Sequence, residues 1–236
     1  MTAKRVIIVG GVAGGATCAA RLRRLDESVQ IFMYERGSHV SFANCGLPYY
    51  LGGVITDRKK LLVATPEQFR DRFNIEVRTG REVTSINRQE KTVEVVNLFT
   101  GAVSTEPYDA LVLAPGASPV RPPIEGIDLP GIVSIRTLDD ADQLNQWVEQ
   151  SNAQRAVVVG AGFIGLEMVE NLTRRGIDVT VLERLDQIMT TMDPEMVTPA
   201  YSVLTREGVD LQLSNGVDHF ESAPDGSIIV MSEKRQ

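Results

Sequence analysis

From the N-terminus, apolar positions first run together in "RVIIVG", residues 5–10, an unbroken stretch that ends on glycine. A strand buried on both faces of a parallel sheet has this pattern, because neither side carries polar residues to solvent. The next stretch, "GGVAGGATCAARLRRL", is glycine-rich and then helical, and "VQIFMYE" returns to strand character up to Glu35. Strand, tight turn, helix, strand and terminal acid form a unit that binds a dinucleotide. Glycine lets the backbone approach a pyrophosphate, the helix N-terminus offers free N–H groups and a positive dipole end, and the acid accepts from a ribose hydroxyl. In the GxGxxG frame this turn reads Gly10, Val12, Gly15: the middle glycine is replaced, with Gly11, Ala13 and Gly14 beside it.

The same pattern returns in "RAVVVGAGFIGLEMVENLTRRGIDVTVLER". Here Gly160, Gly162 and Gly165 complete the fingerprint, Arg155 to Val159 supply the strand, and Glu183 closes the second strand. A chance glycine turn accounts for one isolated match, not for two with strand, helix and acid in place. Two dinucleotide sites imply two dinucleotides, most simply a flavin and a nicotinamide cofactor.

Between the copies, "ATPEQFRDRF" predicts a helix with Thr65 as N-cap, Pro66 at its first position and Gln68 closing a capping box. "NIEVRTGREVTSINRQEKTVEVVN" alternates apolar and polar residues with breaks at Gly80 and around Gln89, which predicts strands of a small antiparallel layer. "YDALVLAPGASPVRPPIEG" reads as a buried strand running into a proline-rich crossing, and "TLDDADQLNQWVEQ" as a helix starting near Leu138 or Asp139. Beyond the second copy, Asp193 and Pro194 open a helix that Pro199 is expected to kink, and the last residues read as strands of a sheet that continues past the end. The expected fold class is α/β, with two Rossmann-like dinucleotide-binding domains: residues 1–118 with the cysteine segment, a crossover segment 119–150, and residues 151–236.

Composition narrows the partners. The formal charge is -7 and no stretch reaches the length of a membrane span, so a small molecule is expected as partner, with neither nucleic acid nor membrane. The N-terminus has no secretory pattern, and a cytoplasmic location is expected. Only Cys18 and Cys45 are present, too few for a disulfide scaffold. Cys18 lies among alanines in the first helix and reads as packing. Cys45, in "SFANCGLPYY", precedes a short helix whose dipole and free N–H groups favour a thiolate, and it reads either as chemistry or as a buried structural thiol. His39, six residues earlier, invites a general-base reading, and His219 reads as structural or solvated. No metal cluster is expected.

"GGVAGGATCAARLRRL", "SFANCGLPYY", "LAPGASP" and "GAGFIGLE", in this order, resemble the flavin-dependent pyridine nucleotide-disulfide oxidoreductases, and most closely their single-cysteine branch of coenzyme A-disulfide and persulfide reductases. The resemblance implies the N-terminal part of a glutathione-reductase-like fold and a homodimeric whole protein. For FAD it implies Gly10, Gly11, Val12, Ala13, Gly14, Gly15, Glu35, Arg36, Asn44, Ala114, Pro115 and Gly116. For NAD(P)H it implies Gly160, Gly162, Phe163, Ile164, Gly165, Glu167, Glu183 and Arg184, with Phe163 as a gate over the flavin. Glu183 favours NADH, while Arg184 suits the extra phosphate of NADPH. Coenzyme A contacts fall on Thr17, Arg21, Arg24, Ser41 and Asn44. Arg21, Arg23 and Arg24 also fit a solvated helix face. Cys45 is the implied redox residue: the positions where two-cysteine relatives carry a partner hold Tyr49 and Tyr50, and the resemblance implies the thiol of coenzyme A as its partner, held as a mixed disulfide. The same thiolate could instead form a sulfenic acid in an NADH oxidase or peroxidase. A nucleotide-binding fragment without turnover is the reading from another class.

Overall fold

The computed structural model describes residues 3–234. Its contacts divide the chain into two compact units. One comprises residues up to Asn44 together with Arg58–Ser118; the other comprises Cys45–Asp57 and the chain from Pro119 onward.

The first unit is built on a parallel sheet of order β3-β2-β1-β7, with β1 Arg5–Val9, β2 Gln30–Glu35, β3 Ile75–Thr79 and β7 Ala110–Leu113. Helix α1 (Gly14–Leu25) crosses from β1 to β2, and α3 (Pro66–Phe73) leads into β3. An antiparallel layer of β4 (Arg81–Asn87), β5 (Thr92–Asn97) and β6 (Val103–Pro107) completes it. The unbroken apolar run of β1 has a direct cause. Val6 and Ile8 pack with Ala16, Ala19, Met33 and Phe69 in one cluster, whereas Ile7 packs with Tyr34, Val93 and Val95 in another. Alternate side chains of a strand point to opposite faces, and here both faces are covered.

Ile75–Thr79 belongs to the parallel sheet, paired with β2 from Ile31↔Ile75 to Glu35↔Thr79, and not to the antiparallel layer. Alternation reports that a strand is half-buried, which an edge position satisfies; it carries no information about pairing direction. "ALVL" is a strand, as expected, but not a buried one: β7 forms the opposite edge, and Leu113 is 58% exposed. Thr65 caps α3 with the full capping box to Gln68. Arg23 is buried, not solvated. Its Nε donates to Phe73 O at 2.7 Å, its Nη2 to Asn74 O at 2.8 Å and its Nη1 to Glu27 O at 2.7 Å, so it satisfies carbonyls at the C-terminal ends of α3 and α1.

The second unit carries a parallel sheet of order β10-β9-β8, from β8 Arg155–Val159, β9 Asp178–Leu182 and β10 Asp210–Gln212. Helices α4 (Leu138–Ser151), α5 (Phe163–Arg174) and α6 (Pro194–Arg206) accompany it. The short helix α2 (Leu47–Leu51), just after Cys45, packs against α4 and α5. Its Leu51 sits in an apolar core with Val148, Val169, Leu172 and Ile177, which is why the cysteine segment clusters here.

The last strands differ from the sequence-based expectation, whereas the starts of α4 at Leu138 and of α6 behind Asp193 agree with it. The terminal strands do not form one sheet: β10 joins the parallel sheet, while β11 (Val217–Ser222) and β12 (Ile228–Ser232) form a separate antiparallel pair. Asp193 occupies the N-cap of α6 without a side-chain hydrogen bond, and α6 continues through Pro199 to Arg206. Helix α4 starts at Leu138 behind an unforeseen cap, a capping box between Thr137 and Asp140. Among the described residues no helix is long and apolar enough to cross a membrane.

Candidate functional site

The first glycine turn is held by a carboxylate. Glu35, at the end of β2, accepts from Gly11 N at 2.7 Å through Oε2 and from Gly37 N at 2.8 Å through Oε1. Gly10 has φ +92°, a conformation open to glycine, and a Cβ there would also lie 2.0 Å from Ala114 O. A Cβ on Gly15 would come within 1.8 Å of Gly10 O, so the third glycine lets α1 start against the strand end. From the far side, Ser41 N donates to Gly11 O at 3.0 Å.

The second turn repeats this arrangement. Glu183 accepts from Ala161 N at 2.7 Å through Oε2 and from Leu185 N at 2.9 Å through Oε1. Gly160 has φ +98°, and a Cβ on Gly165 would lie 2.0 Å from Gly160 O. The two turns differ in their surroundings. Gly10 is backed by the chain leaving β7, whereas Gly160 and Gly162 have open space where a Cβ would stand, because β8 is the edge of its sheet. The "RAVVV" strand is not buried on both faces: Val157 and Val159, two apart and so on one face, are exposed, Val159 by 56%.

Both helices that follow suit a pyrophosphate. Helix α1 begins after Ala13 and α5 after Gly162, neither with a side-chain cap and neither with an acid in its first turn. By contrast α3 and α4 carry threonine capping boxes, and α3, α4 and α6 carry first-turn acids. The first-turn N–H groups of α1 and α5 are thus left to an incoming anion, which the dipole favours. Beside the first turn lies a cleft of about 250 Å³ that brings together Gly10, Glu35, Arg36, Pro115 and Gly116. Arg36 is fixed at its rim, donating to Ser118 Oγ at 3.1 Å and lying 3.8 Å from Glu82. Its size and acid-and-arginine lining fit the nucleoside end of a dinucleotide. Tyr34, Arg81, Glu82 and Ser118 line the same cleft; sequence reasoning did not select them, and only the sheet order brings them to it. Ala114 follows β7 and donates its N–H to Val9 O at 2.8 Å, at the base of the turn. Val12 and Gly14 stand at the turn and the helix start, and a Cβ on Gly14 would make an ordinary contact with Ala114 Cβ at 3.6 Å.

At the second turn Phe163 and Ile164 are exposed on the first positions of α5, and Arg184 is exposed beyond Glu183. Glu167 lies one turn along α5, partly buried, its carbonyl accepting from Asn171 Nδ2 at 2.8 Å.

Cys45 is exposed and sits in the one-turn 3-10 segment Asn44–Gly46 that leads into α2. Cys18 is partly buried on α1; both thiols are free. Thr17, Arg21 and Arg24, spaced four and three apart on α1, share one helix face and are all exposed. Ser41 is buried with φ +46°, and its carbonyl accepts from Val63 N and Ala64 N at 2.8 and 3.1 Å. It therefore braces the loop before Cys45. His39 has both ring nitrogens engaged, Nδ1 2.7 Å from Ser38 Oγ and Nε2 3.4 Å from Arg58 Nη2.

The chain matches the family model of the pyridine nucleotide-disulphide oxidoreductases over residues 4–236. It is 43% identical over 217 residues to the coenzyme A disulfide reductase of Staphylococcus epidermidis, which covers 91% of this chain and 48% of that protein. Among solved structures it is similar to reduced CoADR-RHD of Bacillus anthracis, with TM-score 0.91, 44% identity and coverage of 98% of this chain and 42% of that one. It is also similar to an NAD-dependent persulfide reductase from A. fulgidus, with TM-score 0.89, 36% identity and coverage of 96% and 44%. The chain thus spans about half the length of these relatives. With two matching nucleotide turns, their acids and a single exposed thiol, the chain belongs to the pyridine nucleotide-disulphide oxidoreductases.

Proposed function

We propose that the whole protein reduces coenzyme A disulfide or coenzyme A persulfide with NAD(P)H, NADH being preferred, and that Cys45 is its redox residue. The observation that carries this reading is the exposed Cys45 in the segment leading into α2, with Tyr49 and Tyr50 at the positions where two-cysteine relatives carry a partner. As a free, exposed thiol, Cys45 is open to exchange with a disulfide from outside the chain.

The first turn, with Gly10, Gly11, Gly15, Glu35 and Arg36, would hold FAD; the second, with Gly160, Gly162, Gly165 and Glu183, would hold the nicotinamide nucleotide. Bound FAD supplies a two-electron relay between nicotinamide and disulfide. The Cys45 thiolate attacks one sulfur of coenzyme A disulfide, forming a mixed disulfide and releasing one coenzyme A thiolate. Two electrons and a proton, delivered from NAD(P)H, then cleave the mixed disulfide, freeing the second coenzyme A and restoring the thiolate. With a persulfide, attack on the inner sulfur releases hydrosulfide instead. Thr17, Arg21 and Arg24 offer a cationic face for the phosphates of coenzyme A, and Asn44, peptide-bonded to Cys45, a polar contact for the pantetheine arm. Phe163, exposed on α5, is proposed as the aromatic gate of the nicotinamide site. The whole protein is proposed to be a homodimer.

The test is an anaerobic NADH titration of the FAD-loaded, coenzyme A-charged protein against Cys45→Ser. Wild type is expected to consume one electron pair more than the variant, to release coenzyme A and to show a long-wavelength thiolate-to-flavin band. Equal electron uptake without thiol release would remove Cys45 from the reaction. Reoxidation by oxygen that needs Cys45 and no coenzyme A would favour an oxidase.

A further inference from the structure

Arg175 follows α5 directly and serves neither glycine turn. Its Nη1 donates to Leu51 O, the last carbonyl of α2, at 3.1 Å and to Asn145 Oδ1 of α4 at 2.7 Å. The neighbouring carbonyls of α2 are satisfied by the chain itself: Pro48 O by Gly52 N at 2.9 Å, Tyr49 O by Val54 N at 2.9 Å, and Tyr50 O by Gly53 N at 3.2 Å. Leu51 O instead takes a side-chain donor from another helix. One turn earlier on α5, the fully buried Asn171 presses on the next residue of the same segment. A Cβ on Gly52 would lie 2.0 Å from Asn171 Oδ1, an atom without a hydrogen-bond partner among the described residues. Tyr50 OH donates to Asp142 Oδ1 of α4 at 3.3 Å, and Leu51 is buried in the core.

A five-residue helix cannot maintain itself, so its direction is set by what it rests on. We infer that Arg175 is a positioning residue for Cys45: with Asn171 it forms a seat on α4 and α5 that fixes α2, and so the direction in which the sulfur points. The inference rests on the proposed role of Cys45. Attack on a disulfide requires the thiolate to meet the sulfur along the S–S axis while the rest of the substrate is held, so small displacements of the nucleophile cost rate. A small alkylating agent can approach from any open side and is far less sensitive to that direction.

The test uses the FAD-loaded chain with Cys18→Ser, so that Cys45 is the one reporting thiol. Mixed-disulfide formation with coenzyme A disulfide and alkylation by iodoacetamide are timed by intact mass at one pH. Arg175→Ala is expected to slow the disulfide reaction about tenfold and to leave alkylation within about twofold, with Arg175→Lys recovering much of the ratio. Should Arg175→Ala fail to fold by circular dichroism, Asn145→Ala, which keeps the cation and removes its second anchor, is expected to lower the same ratio by a smaller factor. An unchanged ratio in the folded variant, with wild type forming the mixed disulfide, overturns the positioning role and leaves the proposed function standing. Wild type that alkylates but forms no mixed disulfide overturns the role of Cys45, and the positioning role with it.

Discussion

His219 lies on β11 with Nδ1 2.8 Å from Asp218 Oδ2 and Nε2 3.0 Å from Glu221 Oε1. A ring with a carboxylate on each nitrogen is best satisfied as imidazolium, and the hydrogen bond to Asp218, followed by that to Glu221, raises its pKa above 6.5. A raised folded-state pKa stabilises the fold fully below the unfolded value near 6.5, and that contribution is lost as pH rises through the folded value. Asp218→Asn is therefore expected to move the NMR-measured pKa of His219 down, and the wild-type advantage in melting temperature to shrink between about pH 6 and pH 8. A pKa unmoved by the substitution would show that Asp218 does not hold the ring. Both carboxylates are exposed, so the shift should also narrow in high salt. This clamp was not legible in the sequence, where His219 read as structural or solvated, because strand alternation alone does not bring residues 218, 219 and 221 together. The places of Glu35 and Glu183 at their strand ends were legible, but as acids for a ribose hydroxyl; that each carboxylate grips two backbone N–H groups of its own turn was not. Arg23 was not legible, since two of its partners, Phe73 and Asn74, lie 50 and 51 residues away in sequence.

Among the elements, α1, α3, α5 and β9 could be placed from pattern, while β3 and β10 could be recognised as strands but not paired. Apolar alternation fixes which face of a strand is buried; pairing depends on the crossover that delivers it. Helix α2 is the element whose packing the sequence did not disclose, since "GLPYYL" names neither Asn171 nor Arg175. Gly52 shows the consequence. Its φ of -72° suits any residue, so the demand for glycine is steric and comes from Asn171 Oδ1. Gly52→Ala is expected to destabilise the chain by about 1–3 kcal/mol in urea unfolding, the usual range for overpacking. Adding Asn171→Ala should recover part of that loss, because the colliding atom is gone. Additive losses in the double variant would place the strain elsewhere.

At the scale of the whole chain, the two nucleotide turns are one design used twice: positive-φ glycine, acid on two N–H groups, third glycine against the first one's carbonyl, and a helix start free of caps and acids. Their surroundings have diverged, with a β7 neighbour behind Gly10 and open space around Gly160, so they need not bind the same nucleotide. Separate turns in separate compact units predict separable losses. A methyl on Gly15 or Gly165 must displace a backbone carbonyl 1.8 or 2.0 Å away, which moves the helix start off the phosphate position. Gly15→Ala is expected to purify with little FAD, read from its visible absorbance per chain, and Gly165→Ala to retain FAD while its affinity for NADH, read by fluorescence titration, falls at least about tenfold. If Gly165→Ala lost FAD and kept NADH, the two sites would be assigned the wrong way round; if either variant lost both, the turns would act as one site and not two.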